Sequence, residues 1–260
     1  FAACTDSHNS ATARADAFDS TLTDIGFSYG DSTNTPIDLS VAQPTVRNVG
    51  YTRSELQYQA PEGERELPLH FWYPTTDESG TAVRYDGFLV TEGVFKNATP
   101  FKDTPLPIML FSHGMRGFAA ATAPFLAEHF AKHGWLVIAW SHTGDTTGNG
   151  SDRERTYLNR PIDVSAVLDF LYADDASHLY AGGINETVLL TGHSRGGYTC
   201  FSAAGADFPL SEHDQQCAMQ ADDGFCSAFN AHRDRFAEGF LDERIDGLVV
   251  MASGDYSRFQ

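Results

Sequence analysis

Four short apolar runs set the frame of this chain: Leu106–Phe111, Trp135–Trp140, Thr187–Thr191 and Gly247–Ala252. Runs this short, unbroken by charge, predict strands covered on both faces. Between them the apolar residues fall at helical spacing. Ala120–His133 carries Phe125, Leu126 and Phe130 and stops at Gly134. Pro161–Tyr172 reads as a helix with proline in its first turn, and a further helix is expected over Gly196–Gly205. Strands alternating with helices predict βαβ units, hence an α/β fold with a mostly parallel sheet and helices on both faces. Ahead of these units, Val46–Gln59 alternates, Pro61-Glu-Gly-Glu is a turn signal, and Leu67–Tyr73 completes an N-terminal antiparallel hairpin. Residues 75–104 read as irregular and polar, and 206–243 as a polar excursion.

Composition narrows the picture. The 260 residues are 42% hydrophobic, enough for one α/β domain over 45–260. Residues 1–44 lack hydrophobic periodicity, are rich in Ser, Thr and Asp, and are expected to form a flexible arm or tether. Lys and Arg number 17 against 35 Asp and Glu, a formal charge of −18. That balance argues against a nucleic-acid partner, which needs clustered cations to neutralise phosphates. No stretch reaches the ~18 to 20 apolar residues of a membrane span.

The cysteines bear on compartment. Phe1-Ala-Ala-Cys4 resembles the end of a bacterial lipoprotein signal, so Cys4 is a candidate lipid anchor as well as an ordinary thiol. An exported protein is expected, either secreted, periplasmic or held at a membrane surface. Cys217 and Cys226 lie nine apart in the excursion and are expected to pair there. Cys200 reads as a small buried hydrophobe. No cysteine pair or ligand cluster has zinc spacing, and neither metal nor cofactor is expected.

The chemistry concentrates after the third apolar run. Gly192-His-Ser194-Arg-Gly196-Gly197 follows a predicted strand and opens a predicted helix, the context a G-x-S-x-G nucleophile elbow requires. Ser194 is the candidate nucleophile. Oxyanion stabilisation needs two donors, and the N–H of Arg195 is one candidate. Phe111-Ser-His-Gly-Met-Arg-Gly117 follows an earlier strand, and Gly114 lets its backbone turn so that the Met115 N–H is the other. His113 is expected to pack the loop.

Together these segments resemble the α/β-hydrolase superfamily, and within it bacterial secreted esterases of the dienelactone hydrolase and platelet-activating-factor acetylhydrolase group. The likeness runs through Trp72-Tyr-Pro74, Leu110–Gly114, Ala131–Val137, Ser141–Gly144, Asn159–Val164 and Gly192–Tyr198. True dienelactone hydrolases carry cysteine where Ser194 stands. The resemblance therefore implies a serine carboxylic-ester hydrolase, working through an acyl-serine on a short or apolar small-molecule ester. Phe118 and Trp140 are candidate apolar contacts for such an ester or, as is commoner for buried aromatics, core residues.

The same resemblance implies a triad in the order Ser, acid, His, with two further βα units. No His follows His232. The fold is thus expected to be truncated after strand 6, with acid and histidine beyond residue 260 or supplied by a second chain. The alternative is a non-catalytic homologue acting as a binding protein. Among residues present, Asp255 is a weaker candidate acid and His142 a candidate substrate contact. His193 is expected to pack beside the elbow, and His213 and His232 to be solvated.

Overall fold

The computed structural model describes residues 47–85, 89–150, 155–173, 183–220 and 223–259. The N-terminal arm and Cys4 lie outside the described residues. The strands are β1 (Asn48–Ala60), β2 (Gly63–Thr75), β3 (Ala82–Tyr85), β4 (Leu89–Lys96), β5 (Leu106–Ser112), β6 (Leu136–Trp140), β7 (Ile184–His193) and β8 (Gly247–Met251). They form one sheet in the order β3-β4-β1-β2-β6-β5-β7-β8. β6, β5, β7 and β8 run parallel, β1 pairs antiparallel with β2, and β2 joins them antiparallel to β6. The sheet is mixed, and its parallel half carries all four apolar runs.

Residues 75–104, irregular by their sequence, hold two strands, β3 and β4. β3 alternates, with Val83 and Tyr85 buried and Ala82 and Arg84 exposed, over a span too short for its period to stand out. β8 also differs from expectation. It is an edge strand, paired among the described residues only with β7, and Val249 is 43% exposed.

Helices cover both faces. Along β5, Ile108 and Leu110 pack on one side with Val164, Leu168 and Cys200, while Met109 and Phe111 pack on the other with Ala119, Ala123 and Ala127. This is the period-2 alternation of a strand buried on both faces. The first face is covered by α3 (Thr156–Tyr172) and α4 (Arg195–Ala203), the second by α1 (Ala119–Thr122) and α2 (Pro124–Lys132). The helix expected over Ala120–His133 is broken at Ala123, and Pro124, with no N–H to donate, opens α2.

Pro161 was expected in the first turn of its helix and instead sits inside α3. Its missing N–H leaves the Tyr157 carbonyl without its helical partner. The Tyr198 hydroxyl takes that place, donating to Tyr157 O at 2.8 Å. A tertiary hydrogen bond thus lets the helix run through the proline.

The excursion is not a solvated loop. It folds into α5 (Leu210–Met219), α6 (Gly224–Ala231) and α7 (Arg233–Glu238) over a core of Tyr157, Tyr198, Phe208, Phe225, Phe229 and Phe236. His213 is buried there at 2% exposure, its Nε2 donating to Arg258 O at 2.8 Å. The aromatic residues are scattered among charges, so composition masked the core. A Cys217–Cys226 disulfide joins α5 to α6, and Cys200 is a buried free thiol.

A loop this short stabilises the fold by about 2 to 3 kcal/mol in the chain-entropy model. Replacing both cysteines by serine is expected to cost that much in urea unfolding, and peptide mass spectrometry of unreduced protein should show the linkage. Two free thiols in exported protein would contradict it.

Candidate active site

Ser194 occupies the single residue between β7 and α4. Its backbone is at φ 55°, ψ −117°, a conformation that costs a non-glycine residue about 1 to 3 kcal/mol. Two glycines make the turn sterically feasible. A Cβ on Gly192 would lie 2.2 Å from Gly196 O, and one on Gly196 would lie 2.0 Å from Ser112 O. Both obstacles are backbone, so neither can yield. The segment after β8 closes the other side: the Ser194 N–H donates to Met251 O at 3.0 Å, and the Gly254 N–H to Ser194 O at 2.8 Å. A Cβ on Gly254 would sit 3.5 Å from Ser194 Oγ and 3.4 Å from Arg195 N. Glycine there keeps the space beside the hydroxyl open.

The loop after β5 faces the elbow. Gly114 is so near that a Cβ on it would be 3.3 Å from Ser194 Cβ. Among the described residues the Met115 N–H makes no backbone or side-chain hydrogen bond, while the Arg116 N–H donates to Asp145 Oδ1 at 3.0 Å. The structure therefore brings together Ser194, the Arg195 amide at the start of α4 and the loop carrying the Met115 amide. The helix N-terminus adds its positive dipole end.

Histidines are placed otherwise. His142 is 1% exposed and makes no substrate-facing contact. Its Nε2 is hydrogen-bonded to Ser112 Oγ at 2.9 Å and its Nδ1 to Asp163 Oδ2 at 2.6 Å, and the Trp140 indole N–H points at the same Nδ1 at 3.2 Å. Asp163 also accepts from the Tyr58 hydroxyl at 2.5 Å and from Arg65 at 3.0 and 3.1 Å. His113 packs the loop as expected, fully buried, with Nε2 accepting the His142 N–H at 3.0 Å. His193 is exposed, contrary to its expected packing role, and His232 is half-buried against Glu62 at 2.6 Å. Asp255 is held by Arg195 at 3.2 Å and by the Tyr157 hydroxyl at 3.1 Å. Among the described residues no histidine hydrogen-bonds Ser194 Oγ or Asp255.

Trp140 is a core residue, 0% exposed, and not a substrate contact. Phe118 is half-buried and lines a groove of about 360 Å³ with His70, Ser141 and Thr146. The residues that spacing could not reveal are Arg160 and Asp145, a buried ion pair at 3.0 Å. No local pattern announces them, because they meet only when α3 crosses beneath the β5 and β6 loops.

Burial pushes the imidazoles of His113 and His142 well below the ordinary histidine range, helped by the Arg160 guanidinium beside both. Burial likewise takes His70 down to about 4. The Asp163 carboxyl is raised by burial, against the pull of Arg65.

These shifts fix a pH dependence. A histidine held neutral in the fold is protonated first in the unfolded chain, so stability is full above about pH 6.5 and falls below it. Each of the three removes stability as the pH falls there. Asp163 acts in the opposite sense from a lower starting point. Urea unfolding at pH 7.5 and pH 5 is expected to show the loss; equal stability at both would contradict the neutral assignment.

No protein-family model and no curated protein matches the sequence. Among solved structures, a ferulic acid esterase from Streptomyces cinnamoneus aligns over 61% of this chain and 56% of its own, at 22% identity and TM-score 0.50. An acylaminoacyl peptidase from Pyrococcus horikoshii aligns over 65% of this chain and 25% of its own, at 14% identity and TM-score 0.40. A bacterial heroin esterase aligns over 64% and 41%, at 16% identity and TM-score 0.31. The chain thus spans little more than half the length of the first of these. By its likeness to the first of these, this chain has the α/β-hydrolase fold.

Proposed function

We propose that the protein is a serine carboxylic-ester hydrolase. The observation carrying this reading is Ser194, held at a strained positive φ between strand and helix with its hydroxyl side kept open. Ser194 Oγ attacks the ester carbonyl carbon while a histidine takes the hydroxyl proton. The negative charge gathering on the carbonyl oxygen is held by the Met115 and Arg195 N–H groups. Collapse expels the alcohol, which leaves with that proton, and the acyl group stays on Ser194. Water, deprotonated by the same histidine, then releases the acid and frees the serine. The reaction needs neither metal nor cofactor.

The substrate class is a short or apolar carboxylic ester. It rests on the elbow with serine and on the ester substrate named for the Streptomyces cinnamoneus enzyme. In this reading the histidine and its acid are residues other than those described beside Ser194. An exported location fits the Cys217–Cys226 disulfide. A lipid on Cys4 would hold the enzyme at a membrane surface.

A second reading is favoured by one observation: no described histidine reaches Ser194. On that reading the chain keeps the fold without the chemistry and binds its ligand only.

Two experiments separate them. Full-length protein should hydrolyse p-nitrophenyl butyrate and be labelled by a fluorophosphonate, and Ser194→Ala should abolish both with the fold intact. Labelling that survives the substitution would refute the nucleophile.

A further inference from the structure

We infer that Arg160 and His113 are positioning residues that lock the Gly114–Met115 peptide with its N–H toward Ser194. This rests on the reading above, in which the Met115 N–H is an oxyanion donor. Three donors converge on the Gly114 carbonyl: His113 Nδ1–H at 2.6 Å, the Gly117 N–H at 3.0 Å and Arg160 Nη2 at 3.2 Å. The chain has no cis peptide among the described residues, so this C=O and the Met115 N–H point in opposite directions. Fixing the carbonyl inward therefore aims the amide outward. That amide makes no hydrogen bond in the described residues.

Each donor is itself fixed. Gly114 O can only accept, so the proton of His113 lies on Nδ1. Its Nε2 then accepts the His142 N–H at 3.0 Å, which pins the ring from behind. Arg160 is 0% exposed and donates to His113 O at 2.8 Å as well. Its partner Asp145 accepts from the guanidinium at 3.0 Å and from the Arg116 N–H at 3.0 Å. One ion pair thus grips the loop on both sides of Met115. Arg116 takes the left-handed conformation, φ 58°, that this path requires.

The alternative peptide orientation would turn Gly114 O toward the charge forming on the substrate and strand a buried guanidinium N–H. Unpaired buried charge is costly, so Arg160 disfavours that flip. Lysine at this position would keep the positive charge. It could not span His113 O, Gly114 O and Asp145 together, because its three donors sit on one atom.

The test uses full-length Arg160→Lys, with His113→Asn as a second variant that keeps a donor near Nδ1 but loses the Nε2 acceptor. Both are compared with parent protein in thermal unfolding, p-nitrophenyl butyrate kinetics, trifluoromethyl ketone inhibition and crystal structure. The expected result for folded Arg160→Lys is a kcat lower by about 10²-fold with KM within about twofold, as when one oxyanion donor is lost. Trifluoromethyl ketone affinity, which depends on an oxyanion, should fall in parallel, and the crystal structure should show the 114–115 peptide flipped or in two orientations. His113→Asn should show a smaller loss in the same sense. Folded variants with parental kcat and an unmoved peptide would overturn the inference while Ser194 labelling left the proposed function standing. If parent protein hydrolyses no ester, the proposed function fails, and the peptide orientation in the variant crystals alone decides the lock. Should Arg160→Lys not fold, His113→Asn decides by the same readouts.

Discussion

The contact on which the site depends is between backbones. β7, α4 and the end of β5 approach so closely that Gly192 meets Gly196 O and Gly196 meets Ser112 O with no space for a methyl group. A side chain at either glycine would force these segments apart, since the obstacle is a carbonyl and not a movable rotamer. The approach has two consequences. It tightens the turn until Ser194 takes positive φ, and it sets the β5 loop directly against Ser194. Nucleophile and oxyanion loop are thus products of one packing event, with the turn's strain borne by the surrounding sheet.

Behind that contact lies a polar layer of a kind protein interiors seldom tolerate. Arg160, Asp145, Asp163, His113 and His142 are all essentially inaccessible. Desolvating the charged members, Arg160, Asp145 and Asp163, costs several kcal/mol each and is offset only when hydrogen bonds satisfy them. Here they are satisfied densely, with Asp163 accepting from Tyr58, Arg65 and His142, and Arg160 donating to Asp145 and two loop carbonyls. The network is a poor way to gain stability compared with apolar packing. It is an effective way to hold loops at the strand ends in one conformation, because each alternative leaves a buried group unpaired.

How much of this was legible in the sequence follows from the range of each interaction. The elbow, the loop facing it and the first three apolar runs are local patterns, and the structure places each where its pattern predicts; the fourth run, β8, is a partly exposed edge strand instead. Pro161 within α3 was misjudged because its compensation comes from Tyr198, 37 residues away by numbering and adjacent only in the fold. The excursion was misjudged for a related reason. Phe225 and Phe229 share one face of α6, but Phe208 precedes α5 and Phe236 lies on α7, so they form a core only after these short helices fold against Tyr157 and Tyr198. The buried Arg160–Asp145 pair had no local signal at all, since a charged residue in a helix is by default read as solvated.

Ser112, His142 and Asp163 reproduce the hydrogen-bond chain of a serine, histidine and carboxylate more closely than any group at Ser194. Geometry alone would make them a triad. Two physical facts argue otherwise. Ser112 is 0% exposed, with its backbone in β5, so no carbonyl carbon can reach its hydroxyl. A catalytic histidine must also hold a positive charge as the transition state forms. Burial first, and then Arg160 and Arg65, lower the His142 pKa, opposing that charge. An imidazole flanked by two guanidiniums is suited to staying neutral and rigid. Ser194 has the complementary properties: a strained and partly accessible backbone, a helix N-terminus beneath it, and open space beside its hydroxyl. The buried chain is therefore structural, and the chemistry belongs to the serine that still lacks a histidine among the described residues.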